Sequence, residues 1–239
     1  EGWKERLRLQ GTDVILSPNG NLLASVDDNI VRLWDVKTRK QLYALKEHEF
    51  KVNRVVFSRN GNQLATASNN IVQVWDIATG KQLQTLRADG GVVDSVIFSP
   101  DGNQIAAASN NIVEVWGIAT GKLRQTLNKH QDVVTNIAFS PKVNQLATAS
   151  WDNTVRLWDL STGEQLKILE KHDSGVTSLV FSPDGNQIAT ASEQENIARV
   201  WDATTGEQLQ ALEGHEGGVT SLVFSPNTKN GNQLATASW

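Results

Sequence analysis

The sequence predicts an all-β fold in which short, four-stranded antiparallel sheets follow one another as blades around an axis. Three observations point there. Trp34, Trp75, Trp116, Trp158 and Trp201 each end a short apolar run and recur at spacings of 41, 41, 42 and 43 residues. Leu16, Phe57, Phe98, Phe139, Phe181 and Phe224 end a second set of apolar runs, each followed by serine, at spacings of 41, 41, 41, 42 and 43. Two independent ladders sharing one period mark a repeat architecture. Between them lies a third recurrent element, an alanine-rich stretch written ATAS or AAAS.

Each repeat reads as four strands, a to d. Strand a ends in Phe-Ser and is followed by a turn such as SPDGN (99–103, 182–186), where proline presets φ and Asp-Gly supplies the bend. Strand b is the ATAS segment, as at 65–68 and 147–150. A brief polar turn leads to strand c, which ends VRLWD (31–35, 155–159), VQVWD (72–76), ARVWD (198–202) or, without the acid, VEVWG (113–117). ATGK or STGE then introduces strand d, such as QLQTL (82–86). Four strands of roughly 6 residues and four turns of roughly 4 account for a period of about 40. No stretch has the periodicity of a helix.

A lone four-stranded sheet cannot bury both faces, so neighbouring repeats must cover one another. Small residues in one strand and Trp, Val and Leu in others fit sheets packed radially, crowded near an axis and roomier outside. The repeat boundaries are roughly 11–46, 47–87, 88–128, 129–170 and 171–213, with a partial sixth unit at 214–239, all within one domain.

With these residues in place, the chain resembles the WD-repeat (Trp-Asp repeat) β-propeller family over essentially its whole length. The likeness between repeats, in phrases such as SPDGNQIATAS and VRLWDLSTGEQL, is similar to bacterial and especially cyanobacterial arrays. The resemblance implies a propeller of at least six blades, the last incomplete, with seven also compatible. It also implies a buried chain of indole, hydroxyl, imidazole and carboxylate groups that brace each blade. The fourth repeat alone has all four expected residues, His130, Ser150, Asp152 and Trp158. His48, His172 and His215, with Trp34, Trp75, Trp116 and Trp201, stand at the equivalent structural positions.

Departures from the pattern predict uneven bracing. Asp89 replaces the histidine in the third repeat, and the first has no candidate. The b–c turns of the second and third repeats read Asn69-Asn70 and Asn110-Asn111, without the acid. In the first repeat Asp27 stands at the serine position, and in the fifth the turn is longer, Glu193-Gln194-Glu195. Residues 4–9 (KERLRL) read as an orphan strand d that closes the last blade, although that blade stops before its strand c, as a fragment of a longer chain would.

Composition narrows the function. With 22 basic and 26 acidic residues the net charge is −4 and the pI about 5.6, which argues against nucleic acid. There is no cysteine, no membrane span or targeting segment is visible within this stretch of sequence, and a cytoplasmic setting is the default. Neither a phosphate loop nor a metal-ligand motif is present, so no cofactor or metal is called for. The Ser/His/Asp set of the fourth repeat belongs to the repeat pattern, and the chain is read as a non-enzyme.

The loops indicate where recognition lies. Turns a–b and c–d are nearly interchangeable between repeats, whereas d–a and b–c connections differ. That second rim carries the candidate partner-binding residues Trp151, Phe50, Glu47, Glu49, Asp28, Glu193 and Glu195, with Trp239 at the position of Trp151 in the sixth repeat. Tryptophan is an interface anchor by preference. The reading is a non-catalytic protein-interaction scaffold or ligand-sensing domain for a protein or peptide. By resemblance it belongs to a larger chain with an NTPase, kinase or protease module. A stand-alone structural scaffold is the alternative; a hydrolase propeller and a nucleic-acid binder are weaker ones.

Overall fold

The computed structural model describes residues 13–226 and 232–239, and every regular element among them is a β-strand. No helix is long and apolar enough to cross a membrane among the described residues. Blade 1 comprises β1 (Asp13–Leu16), β2 (Leu22–Asp27), β3 (Ile30–Asp35) and β4 (Gln41–Leu45). Blade 2 comprises β5 (Val52–Phe57), β6 (Gln63–Ser68), β7 (Ile71–Asp76) and β8 (Gln82–Arg87). Blade 3 runs through β9 (Val93–Phe98), β10 (Gln104–Ser109), β11 (Ile112–Gly117) and β12 (Lys122–Leu127). Blade 4 has β13 (Val134–Phe139), β14 (Gln145–Ser150), β15 (Val155–Asp159) and β16 (Gln165–Leu169). Blade 5 has β17 (Ser178–Phe181), β18 (Gln187–Ala191), β19 (Ala198–Asp202) and β20 (Gln208–Leu212). In blade 6 two strands are described, β21 (Val219–Phe224) and β22 (Leu234–Ser238). Five sheets are thus four-stranded antiparallel meanders and the sixth is a hairpin. Residues 4–9, expected to supply a closing strand, lie outside the described residues.

The Trp-Asp pair sits where strand c turns into strand d. The register slips by one residue at Trp34, Trp75, Trp116, Trp158 and Trp201, a bulge near the end of the ladder. The following aspartate then holds the turn. Asp35 Oδ1 accepts from the N–H and hydroxyl of Thr38, and Asp76 does the same with Thr79. Asp159 and Asp202 accept the N–H groups of Ser161 and Thr204. The glycine of ATGK or STGE takes a left-handed conformation at Gly80, Gly121, Gly163 and Gly206, and Arg39 takes it with φ of 60° in blade 1.

The first strands are innermost. Strand β5 packs on β9, β9 on β13, β13 on β17 and β17 on β21, so the a strands line an axis. At one mouth of this axis Phe57, Phe98, Phe139 and Phe181 surround an apolar opening of about 410 Å³. The alanines expected nearest the axis lie one strand further out, in β6, β10, β14 and β18, where one blade meets the next.

The reason is visible in the core. Each sheet has one small face and one large face. Ala24, Val26, Val31, Leu33 and Leu45 of blade 1 cover Val52, Phe57, Leu64, Trp75 and Ile77 of blade 2. The same pairing recurs between blades 2 and 3, 3 and 4, 4 and 5, and 5 and 6. In blade 4 Ala147 and Ala149 lie under Phe181, Ile188 and Trp201 of blade 5. Among the described residues the corresponding faces at the two ends of the array are exposed: Leu16 is 60% exposed where Phe57 is 8%, and Ala235 and Ala237 are exposed where Ala65 and Ala67 are buried.

Enlarging an alanine beneath the next blade's aromatic rings overpacks the interface, whereas the same change on the exposed face does not. We expect Ala147→Leu to lower stability by about 1–3 kcal/mol and Ala235→Leu to change it by less than about 0.5 kcal/mol. Urea denaturation midpoints test this; equal effects at both positions contradict the face-to-face packing.

Candidate functional site

Each blade is braced by a polar chain between its strands and its loops, and blade 4 has the fullest version. Strands β14 and β15 pair Leu146 with Trp158 and Thr148 with Arg156, so Trp158 and Thr148 share one face of the sheet. The Trp158 indole N–H donates to Thr148 Oγ1 at 2.9 Å, and Thr148 Oγ1 lies 2.7 Å from His130 Nε2. His130 Nδ1 is 2.8 Å from Asp152 Oδ2. Because a carboxylate only accepts, the proton resides on Nδ1 and Thr148 donates to Nε2. The other donors to Asp152 are the Gln131 N–H and the N–H and hydroxyl of Thr154.

The hydroxyl in this chain is therefore Thr148 and not Ser150, which corrects the sequence expectation. Ser150 is two residues further along β14, beyond the indole's reach. Fully buried, it donates to Asp132 O at 2.9 Å and accepts the Asp152 N–H at 3.0 Å, tying the d–a loop to the b–c turn. The signal was present as Thr66, Thr148, Thr190 and Thr236, the second letter of each ATAS segment, two residues before its serine.

The remaining blades vary around this plan. His48 and Trp75 meet on Thr66, with Asn29 O in place of the carboxylate. Trp34 donates to Ser25, with no histidine in reach by sequence. His215 bonds Thr236. In blade 3 Ala107 removes the hydroxyl beneath Trp116, and buried Glu114 accepts the Asp89 N–H instead. Burial pushes the Glu114 carboxyl up from its ordinary value.

Blade 5 corrects a second expectation. Glu195, expected to face a partner on the rim, is drawn inward: it accepts the N–H groups of Asp173 and Ser174, pairs with Arg199, and lies 3.3 Å from His172 Nδ1. It does the work of Asp152, its longer side chain matching the longer turn.

Burial holds the imidazoles of His48, His130 and His172 below their ordinary value, outweighing the neighbouring acceptors that would raise them. Burial would raise the Asp152 and Glu195 carboxyls, but Thr154 and Gln131 in one case, and Arg199 and His172 in the other, reverse it and hold both low.

The d–a and b–c connections form the rim around the other mouth of the axis. A cavity of about 1080 Å³ opens there, lined by Asp94, Trp151, Asp173, Glu193, Thr135 and Trp239 among others. Trp151 is 56% exposed and Trp239 84%. Trp151 rests on Gly175 of blade 5, where a Cβ would lie 2.8 Å from its ring and 3.0 Å from its own Cα. Of the rim residues expected from sequence, Trp151 and Glu193 line this cavity. Phe50, Glu47, Glu49 and Asp28 are exposed on the same kind of connection in blades 1 and 2, but do not line it. Asp94 and Thr135, from the second position of their a strands, line it without having been singled out by sequence.

Two outcomes are expected for the brace. Trp158→Phe removes an N–H from a buried hydroxyl and should cost about 1–3 kcal/mol, whereas Trp116→Phe, over Ala107, should cost clearly less in the same urea titration. Since His48, His130 and His172 have folded pKa values below the unfolded value of about 6.5, the unfolded chain binds more protons under acid conditions. Stability present above about pH 6.5 should then fall as pH drops below it. Denaturation midpoints at pH 7.5 and 5.5 check this, and an unchanged midpoint would count against neutral buried imidazoles.

Among curated proteins no sequence matches the chain. The family model described as WD domain, G-beta repeat matches six times, at residues 11–35, 39–76, 80–117, 121–159, 163–202 and 206–239. Matches such as 39–76 take strand d of one blade with strands a to c of the next, so the sequence repeat straddles two blades and links them covalently. With periodic Trp-Asp turns, four-stranded blades and family matches along nearly its whole length, the chain belongs to the WD-repeat family.

Proposed function

We propose that this chain is a non-catalytic interaction module that takes a protein or peptide partner on the rim formed by its d–a and b–c connections. The observation that carries this reading is Trp151, 56% exposed at the mouth of a cavity of about 1080 Å³. A large indole held in water against a glycine is an anchor for a partner, because its apolar area is released from solvent on binding. The opposite rim supports the assignment. There Ser17, Ser58, Ser99 and Ser182 each donate to an Asn or Asp two residues on and accept an N–H five residues on. Those side chains are consumed by their own turns.

The Ser/His/Asp set does not favour hydrolysis. Ser150 Oγ is bonded to Asp132 O and His130 to Thr148, so nucleophile and base are not in register. A net charge of −4 favours a protein over a nucleic acid backbone. A sensing role within a larger chain that carries an NTPase, kinase or protease module fits the same surface, as does a cytoplasmic setting.

Peptides selected from a randomised displayed library on the immobilised chain provide the test, followed by binding kinetics on variants. Trp151→Ala should weaken binding mainly through faster dissociation, by about 2 kcal/mol where the indole is desolvated. Glu193→Lys should act mainly on association and more strongly at low salt. If neither changes affinity while Asp101→Ala or Asp184→Ala abolishes it, the partner uses the opposite rim.

A further inference from the structure

The residue after the valine that leads into each innermost strand, Val52, Val93, Val134, Val176 and Val219, is Asn53, Asp94, Thr135, Thr177 and Thr220 in turn. Two of these residues bridge blades. Asn53 Nδ2 donates to Val93 O at 2.6 Å, and the Thr135 hydroxyl donates to Val176 O. Each bond thus reaches the first residue of the next blade, or its equivalent. Asp94 has only acceptors to offer, so it cannot donate to blade 4 in this way. It gives up a cross-blade bond and lines the cavity with a residue that carries a carboxylate.

No ion pair engages that carboxylate among the described residues. Arg54, the nearest base by sequence register, sends Nε to Asp94 O and NH1 to Asn53 O, and no ion pair joins it to the Asp94 carboxylate among the described residues. Asp173 and Glu193 add two exposed carboxylates at the rim, and no lysine or arginine is among the described residues lining the cavity. Concave walls with charges of one sign focus potential. The exposed indole of Trp151 offers a π face beside them. The acids are too dispersed to chelate, since no group of three that could hold a metal ion occurs among the described residues.

We propose that this cavity takes a cationic side chain, arginine or lysine, presented by the peptide partner, with Asp94 as its counter-ion and the Trp151 indole as its wall. The proposal rests on the rim reading above and specifies its ligand chemistry. Guanidinium and ammonium groups satisfy both requirements at once, as hydrogen-bond donors to the carboxylate and as cations over an aromatic face.

The experiment titrates the full chain with N-acetyl-arginine amide and with N-acetyl-citrulline amide, its neutral isostere, following the indole N–H resonance of Trp151 assigned by Trp151→Phe. The arginine derivative should shift that resonance saturably and bind more weakly as salt is raised, while the citrulline derivative should bind at least about fivefold more weakly. Asp94→Asn, which installs the residue that blade 2 already carries at this position, should remove the difference between the two probes while the chain stays folded. Equal binding of both probes, or a preference unchanged by Asp94→Asn, overturns the proposal. The displayed-library selection separates this from the broader reading. Neutral or acidic peptides that still depend on Trp151 would refute the cationic ligand and leave the rim standing, whereas peptides indifferent to Trp151 and Glu193 would remove the rim as well.

Discussion

Everything in this molecule depends on one sheet face being small enough to accept the large face of the next. A four-stranded meander exposes two apolar faces and no single blade covers both. The chain solves this by writing alanine at alternate positions of strand b and Phe, Leu or Ile, and Trp on the opposite face. Ala106 and Ala108 of blade 3 lie against Leu146 and Trp158 of blade 4, and the next interface repeats the arrangement with Ala147, Ala149, Ile188 and Trp201. Since the side-chain period of a strand is two, a one-residue slip would exchange the faces and place alanine on alanine. The bulge at each tryptophan and the Asp-held turn after it fix the register against that slip.

The polar braces are subordinate to this packing and vary more freely. Blade 4 has Trp158, Thr148, His130 and Asp152 in series, blade 2 replaces the acid by a carbonyl, and blade 3 lacks both hydroxyl and imidazole. All three bury their tryptophan. Thus the indole's apolar area supplies the common element, and the hydrogen bonds adjust how firmly the d–a loop is tied to the sheet. A loop tied through a buried neutral imidazole is held differently from one tied by a single backbone bond, so the rim inherits its local rigidity from the brace beneath it.

The blades were legible because strand and turn signals coincide: Phe-Ser, Pro-Asp-Gly and Trp-Asp all fall where the backbone changes direction. The site was less legible. Ser150 and Thr148 are both hydroxyls on one face of the same strand, and only the diagonal reach of Trp158 across β14 decides between them. Glu195 reads as rim acidity because its turn is longer than that of Asp152, and a longer turn hides the fact that an extra methylene returns the carboxylate to the histidine. Asp94 is invisible as a polar residue among Asn53, Thr135, Thr177 and Thr220. Its meaning comes from donor chemistry across a blade boundary, which local sequence does not show.

The variable rim is also less free than a comparison of single loops implies, because each b–c turn touches the d–a loop of the following blade. The Val52, Val93 and Val134 N–H groups donate to Asp28, Asn69 and Asn110, whose left-handed φ values of 55°, 55° and 50° make tight two-residue turns. Before those valines stand Lys51, Val92 and Val133, side chains that such short turns leave room for. Where the turn lengthens, in blades 4 and 5, the next loop has Gly175 and Gly218 at that position. A Cβ on Gly175 would meet Trp151, and one on Gly218 would lie 1.7 Å from the Glu193 carbonyl oxygen. The exposed tryptophan and the glycine beneath it are therefore one feature shared by two blades. On this rim the turn that projects a side chain and the neighbouring loop that vacates space for its backbone differ together from those of the other blades.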